Sequence, residues 1–342
     1  MPDDASPPQE YQIFDPERQE IKVVIIQPPK RRYWLHLLLF LLTLLSTLCV
    51  GARLQYEFDH NQNFFPFSDE SWFIPWIWTL SHAQRLLLGV PFSLCLLGIL
   101  TAHELGHYLL CVRRKVHATW PFFIPFPSLI GTMGAFIRIR SPIRNRRDLF
   151  DIGIAGPIAG FMVAVPVMFF ALLACKPVTP ETQDSAFFGI PLIFKLAHSI
   201  FAAMGSHAAI AQVDPNQLFF HPAALAAWVG MFATALNLIP GGQLDGGHIV
   251  FALHPRAHRL VTVLAIVALL PLAWFFWAGW LLWAVVLRLT GRHPDVPNFP
   301  DLDLKRRLLA VFGLIMLVLT FSYNPLLGGL GDFLQQWLHP SK

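Results

Sequence analysis

The chain has 342 residues, 55% of them hydrophobic and only 13% charged, with a mean hydropathy of +0.52. That balance excludes an ordinary soluble domain and points to an all-α polytopic membrane protein. The formal charge of +4 is mild, and the basic residues cluster beside apolar runs as orientation signals, so no nucleic-acid surface is expected.

Residues 1–33 read as a polar cytoplasmic tail in which 21–26 has the composition of a short strand. The acidic, proline-bearing start is unlike a signal peptide or transit segment, which favours a bacterial inner membrane over a plastid. Lys30, Arg31 and Arg32 then precede a first span at about 34–52, and the acidic Glu57, Asp59, Asp69 and Glu70 follow it. By the positive-inside rule the N-terminus is cytoplasmic and the loop that completes residues 34–85 is external, with Trp72, Trp76 and Trp78 as an interfacial belt.

The second span, about 86–112, opens a unit at 86–253 and carries His103-Glu104-Leu105-Gly106-His107 near its basic end. On a helix His103 and His107 stand about 40° and about 6 Å apart, which lets both imidazoles take corners of one zinc tetrahedron. Glu104 points too far aside to be a third ligand but within reach of a zinc-held water, the position of a general base. A carboxylate inside an apolar span is a functional-site signal by default.

Residues 119–141 hold too many prolines for a helix, and 136–140 alternates apolar and basic. A small membrane-associated β-hairpin is expected there. Its edge, through Phe136, Ile137 and Arg138, either takes an unwound substrate by strand addition or merely caps the bundle. A third span follows at about 149–174, where Gly156 and Gly160 form a helix-packing GxxxG and Asp151 reads as an interfacial cap. Residues 175–221 read as an external loop with an interfacial or re-entrant stretch at 190–204 and solvated or interfacial His198, His207 and His221.

A fourth span at about 222–239 ends in Asn-Leu-Ile-Pro-Gly-Gly-Gln-Leu-Asp-Gly-Gly-His, residues 237–248. Such a helix break at membrane depth persists where backbone lines a cavity or ligand. Asp245 is either the N-cap of the next helix or a third zinc ligand; the ligand reading explains more, because HExxH supplies only two of the three that catalytic zinc takes. Asn237 is a candidate contact to substrate backbone, and His248 a candidate support for Asp245. Residues 254–342 hold further spans: 260–289, broken near 271–273, and 308–323, for roughly seven crossings. Four cysteines without CxxC spacing predict neither disulfides nor a thiolate site.

HELGH in one span with N-x-x-P and L-D-G in a later one resembles the site-2 protease family of intramembrane zinc metalloproteases, over about half the chain. The segment G-T-M-G-A-F-I-R-I-R-S-P is similar to its bacterial and plastid branch, although no PDZ insertion or CBS domain is recognisable. The resemblance implies a Zn2+ enzyme in the lipid bilayer whose substrates are transmembrane proteins. His103, His107 and Asp245 would ligate, and Glu104 would activate water. The competing expectations are an inactive scaffold for client helices and a cation transporter. Intact ligands disfavour the first, and the lack of an internal repeat disfavours the second. Oligomeric state is not legible.

Overall fold

The computed structural model describes residues 9–15, 20–26, 33–64, 75–185, 189–204, 213–291, 293, 294, 296, 301–326 and 330. Two strands, β1 (Gln9–Asp15) and β2 (Glu20–Ile26), pair antiparallel from Gln9↔Ile26 to Asp15↔Glu20. The strand expected at 21–26 is therefore present, with a partner the composition did not reveal.

Helix α1 (Tyr33–Asp59) is longer than the expected first span. It runs on through Arg53 and Glu57, which form an i,i+4 ion pair at 2.7 Å, so Glu57 and Asp59 belong to its last turns rather than to a loop. The short α2 (Pro75–Leu80) holds Trp76 and Trp78; Trp72 lies outside the described residues. The Trp78 ring stacks under Arg85, whose guanidinium carbon is 4.2 Å from the ring centroid. A 3-10 turn then leads into α3 (Val90–Arg113), with Pro91 in its first turn, where the missing amide has no intrahelical partner to lose.

A hairpin follows: β3 (Phe122–Pro125) and β4 (Thr132–Phe136), antiparallel with an irregularity between Phe123 and Pro125. The strand expected at 136–140 thus begins four residues earlier. Its expected portion still pairs, through an isolated Ala118↔Ile139 bridge and the Arg140 amide donating to the His117 carbonyl at 2.8 Å. Alternation found the extended backbone but not the turn at 126–131, which sets the register.

Helix α4 (Arg146–Leu172) starts on Asn145, whose side chain accepts from the Asp148 amide. Asp151 is consequently not a cap. It lies one turn further in and accepts from Arg306 and Arg114. The two-residue strands β5 (Lys176–Pro177) and β6 (Leu218–Phe219) pair across the next excursion, which carries α5 (Leu192–Ala203). His198 there is buried, not solvated; His221 is half-buried and accepts from the Ala223 amide, and His207 lies outside the described residues.

Helices α6 (Pro222–Leu238) and α7 (Asp245–Leu253) flank the glycine-rich break. Then come α8 (Pro255–Phe275), α9 (Gly279–Leu289) and α10 (Leu304–Thr320). The break expected at 271–273 falls instead at 276–278, because α8 accommodates Pro271 in its last turns.

Among the described residues, four helices have the length and hydropathy of a membrane span: Tyr33–Asp59, Ala83–Arg113, Arg146–Leu172 and Pro255–Phe275. The roughly seven crossings expected from apolar runs are not matched by that measure. Helices α5, α6 and α9 have 12, 17 and 11 residues. Composition alone does not separate a lipid-spanning helix from an apolar helix enclosed by protein. The central α6 is of the second kind, with Ala224, Ala226, Ala227, Met231 and Ala235 wholly inaccessible. It packs between α3 and α4, and α4 in turn contacts α7, which brings the HELGH helix and the post-break helix to one end of the bundle.

Candidate metal centre

The centre starts from α3. His103, Glu104 and His107 occupy one stretch of it, and all three are buried, at 5%, 6% and 7% exposure. An apolar helix with three buried polar side chains needs partners for them, and α4 and α7 supply those of the two histidines.

The first partner is a carbonyl. His107 Nδ1 donates to the Ile152 carbonyl of α4 at 2.7 Å, which fixes the tautomer and turns the Nε2 lone pair inward. The second is a carboxylate. Asp245 is the first residue of α7, but its side chain does not cap that helix. Instead Asp245 Oδ2 lies 3.2 Å from His103 Nε2 and 3.3 Å from His107 Nε2. The two imidazole Nε2 atoms are themselves 3.2 Å apart. The Asp245 carboxylate is thus turned to the two imidazoles, with no bond to an α7 amide among the described residues.

The break between α6 and α7 makes this possible. Gly246 has the Leu238 and Ile239 carbonyls where a side chain would begin, so only glycine lets α7 fold back this tightly on the end of α6.

The triangle has the dimensions of a metal site. Bonds of 2.0–2.1 Å to tetrahedral zinc place neighbouring ligand atoms about 3.3 Å apart. Three atoms with lone pairs converging at 3.2–3.3 Å, two imidazole nitrogens and one carboxylate oxygen, satisfy that spacing and leave one corner open. Nitrogen and oxygen donors of this kind suit zinc.

Most of the sequence-predicted residues meet at one cavity of about 220 Å3, lined by His103, Glu104, His107, Phe136, Ile137, Asn237 and Asp245. Asn237 Nδ2 stands 3.5 Å from His103 Nε2. Arg138 is not part of this lining: its side chain is exposed, and its backbone amide donates to Thr119. His248 also lines the cavity, but its bonding partner is His293, at 2.8 Å, and not Asp245.

The helix expected at 149–174 is α4, but its role beside the two histidines was not legible in the sequence. Its GxxxG, read as ordinary packing, faces the two histidines: Gly156 lies against the His107 ring, and a Cβ at Gly160 would stand 3.2 Å from His103 Cβ. The motif was visible, but its partner helix was not. A second, apolar cleft of about 270 Å3 adjoins the centre, running from His103 and Glu104 between α3 and α6 to Trp283, with β4 along one side. Its two threonine hydroxyls are spent, Thr132 on the Ile124 carbonyl and Thr234 on the Gly230 carbonyl, so the cleft offers a guest no free hydroxyl donor.

The family model for peptidase family M50 matches residues 91–276, which include every member of the triad. The chain belongs to peptidase family M50. Among curated relatives, this M50 chain is 29% identical over 303 residues to "Probable zinc metalloprotease EGY1, chloroplastic" of Arabidopsis thaliana, covering 84% of the chain and 53% of that protein. It is 29% identical over 242 residues to the Arabidopsis EGY2 protein, covering 70% of the chain and 42% of that protein. To the EGY2 protein of Oryza sativa subsp. indica it is 32% identical over 223 residues, covering 64% and 39%. The chain spans about half the length of the curated relatives it matches. Their names are chloroplastic and give no support to the bacterial inner membrane expected from the N-terminal composition.

Proposed function

We propose that this M50 chain is an integral membrane zinc endopeptidase that hydrolyses peptide bonds within or near transmembrane segments of other membrane proteins. The observation that carries the reading is the His103–His107–Asp245 triangle of 3.2–3.3 Å with Glu104 buried beside it on the same helix. The family match and the relatives' printed description as zinc metalloproteases support the same conclusion. Intact ligands and an intact Glu104 speak against a scaffold without activity.

His103, His107 and Asp245 would hold the ion. When bound, zinc supplies Lewis acidity, acidifying a water and polarising a carbonyl. Glu104 lines both cavities at the triad and is the one carboxylate there outside the triangle. It takes a proton from the attacking water as the water oxygen joins the scissile carbonyl carbon. As the C–N bond breaks, Glu104 returns that proton to the amine nitrogen, so the side chain ends as it began. Asn237 Nδ2, beside His103, is placed to donate to a substrate carbonyl. Phe136 and Ile137 at the end of β4 form the wall along which an unwound substrate strand lies, with a side chain entering the apolar cleft. The amides of a substrate helix are held in intrahelical bonds, so it unwinds locally before its scissile amide reaches Glu104.

Replacing Glu104 by Gln tests this reading. The variant is expected to bind zinc one-to-one, as wild type does, while cleavage of a transmembrane substrate in detergent falls by about 100- to 10,000-fold. Cleavage at the wild-type rate would remove Glu104 from the reaction and with it the reading.

A further inference from the structure

The hairpin of α8 and α9 borders a third and larger cavity, of about 1100 Å3, at the end of the bundle where α8 begins and α9 stops. Val263 and Ile266 of α8 and Leu287 of α9 form an apolar wall. Arg259, in the first turns of α8, and Arg288, in the last turn of α9, add two guanidiniums. The other polar groups of the lining are occupied. His258 Nε2 lies 3.0 Å from the Gly242 carbonyl, and the Thr262 hydroxyl donates to the His258 carbonyl at 2.9 Å while accepting from the Gly242 amide.

The two arginines are not so occupied: neither meets a carboxylate among the described residues. Other arginines at this end of the bundle do meet carboxylates. Arg114 pairs with Asp148 and Asp151, Arg146 with Asp301, and Arg306 with Asp151 and Asp303. Of the four span-length helices, α8 is also the least enclosed by protein, with 22% of its apolar window buried against 39% for each of the others. The cavity therefore adjoins the span-length helix with the most exposed apolar surface, and the two charged side chains of its described lining, Arg259 and Arg288, are both cationic.

We propose that this cavity binds an anionic phospholipid, its phosphate held between Arg259 and Arg288 and its acyl chain laid on the wall of Val263, Ile266 and Leu287. Guanidinium forks suit phosphate oxygens, and basic pockets between transmembrane helices take acidic headgroups. A free phosphate ion would use the arginines and leave the apolar wall without a role. Gln243 borders both this cavity and the metal centre, so a lipid seated here stands next to the break that carries Asp245.

The experiment is native mass spectrometry of the full chain, purified in neutral detergent and exposed to phosphatidylglycerol or phosphatidylcholine at physiological salt. Wild type should retain one phosphatidylglycerol and little phosphatidylcholine. Arg259→Gln with Arg288→Gln should weaken retention about 30-fold. Arg256→Gln with Arg307→Gln, which removes the same charge from exposed positions outside the cavity, should leave it unchanged. Val263→Trp, which fills the apolar wall and spares both guanidiniums, should weaken it too, and it serves if the double variant does not fold. Equal retention of the two lipids, or wild-type retention by the cavity variants, would overturn the proposal. So would inorganic phosphate alone binding as tightly as phosphatidylglycerol, which would make this a free-phosphate site.

Discussion

Gly156 of α4 lies flat against the imidazole of His107, in space that any larger residue would take from the ring. The same ring is held from behind by the Ile152 carbonyl, so it cannot swing away without losing a buried hydrogen bond. Gly156→Ala is therefore expected to move the ring off the triad. Zinc content should fall below one per chain and cleavage should drop about 100-fold or more. Gly160→Ala, where the new methyl would meet His103 Cβ at 3.2 Å, should do less harm. Metal analysis and cleavage assays on the two variants would show whether this order holds; equal, near-wild-type values for both would sink it.

Asp245 sits equidistant from the two imidazoles and caps nothing. Removing a residue that merely supports a ligand weakens metal binding about 10- to 100-fold, so Asp245→Ala, which deletes a proposed ligand, should weaken it by more. Chelation should abolish wild-type cleavage, and added zinc should restore it. The variant should remain inactive at zinc concentrations that rescue wild type. Full rescue would return Asp245 to a structural role.

The apolar cleft beside Glu104 predicts selectivity for a bulky aliphatic or aromatic side chain near the scissile bond. Ala233 of α6 lines it. Ala233→Trp should reduce cleavage of substrates with leucine or phenylalanine at that position about 10- to 100-fold while sparing those with alanine. Paired substrate peptides reconstituted with each enzyme would measure the difference, and a uniform loss would argue against a side-chain pocket.

Asp151 accepts from arginines of two different helices, Arg306 at 2.7 Å and Arg114, and so ties α3, α4 and α10 together. Asp151→Asn leaves the metal ligands untouched but uncouples this tie. A loss of about 1–3 kcal/mol is expected, read as a lower melting temperature in detergent, with zinc stoichiometry retained. An unchanged melting temperature would show the network to be dispensable.

Local sequence determined what depends on local geometry. Four residues along a helix bring His103 and His107 together wherever that helix lies, and a proline followed by two glycines must break α6 after Leu238. The chemistry of three side chains was therefore legible, as were the apolar character of the chain and the extended backbone near 136–140. Tertiary structure alone decided the rest, because it depends on which surfaces meet. Asp245 was open to two roles until α7 packed against α4 and set its carboxylate beside the two imidazoles, and Gly156 was a packing glycine until the His107 ring was seen to need its space. The roughly seven crossings expected are matched only in part for the same reason: four helices among the described residues have span length. Hydropathy records that a helix avoids water but not whether lipid or protein shields it, and α6 is shielded by its neighbours.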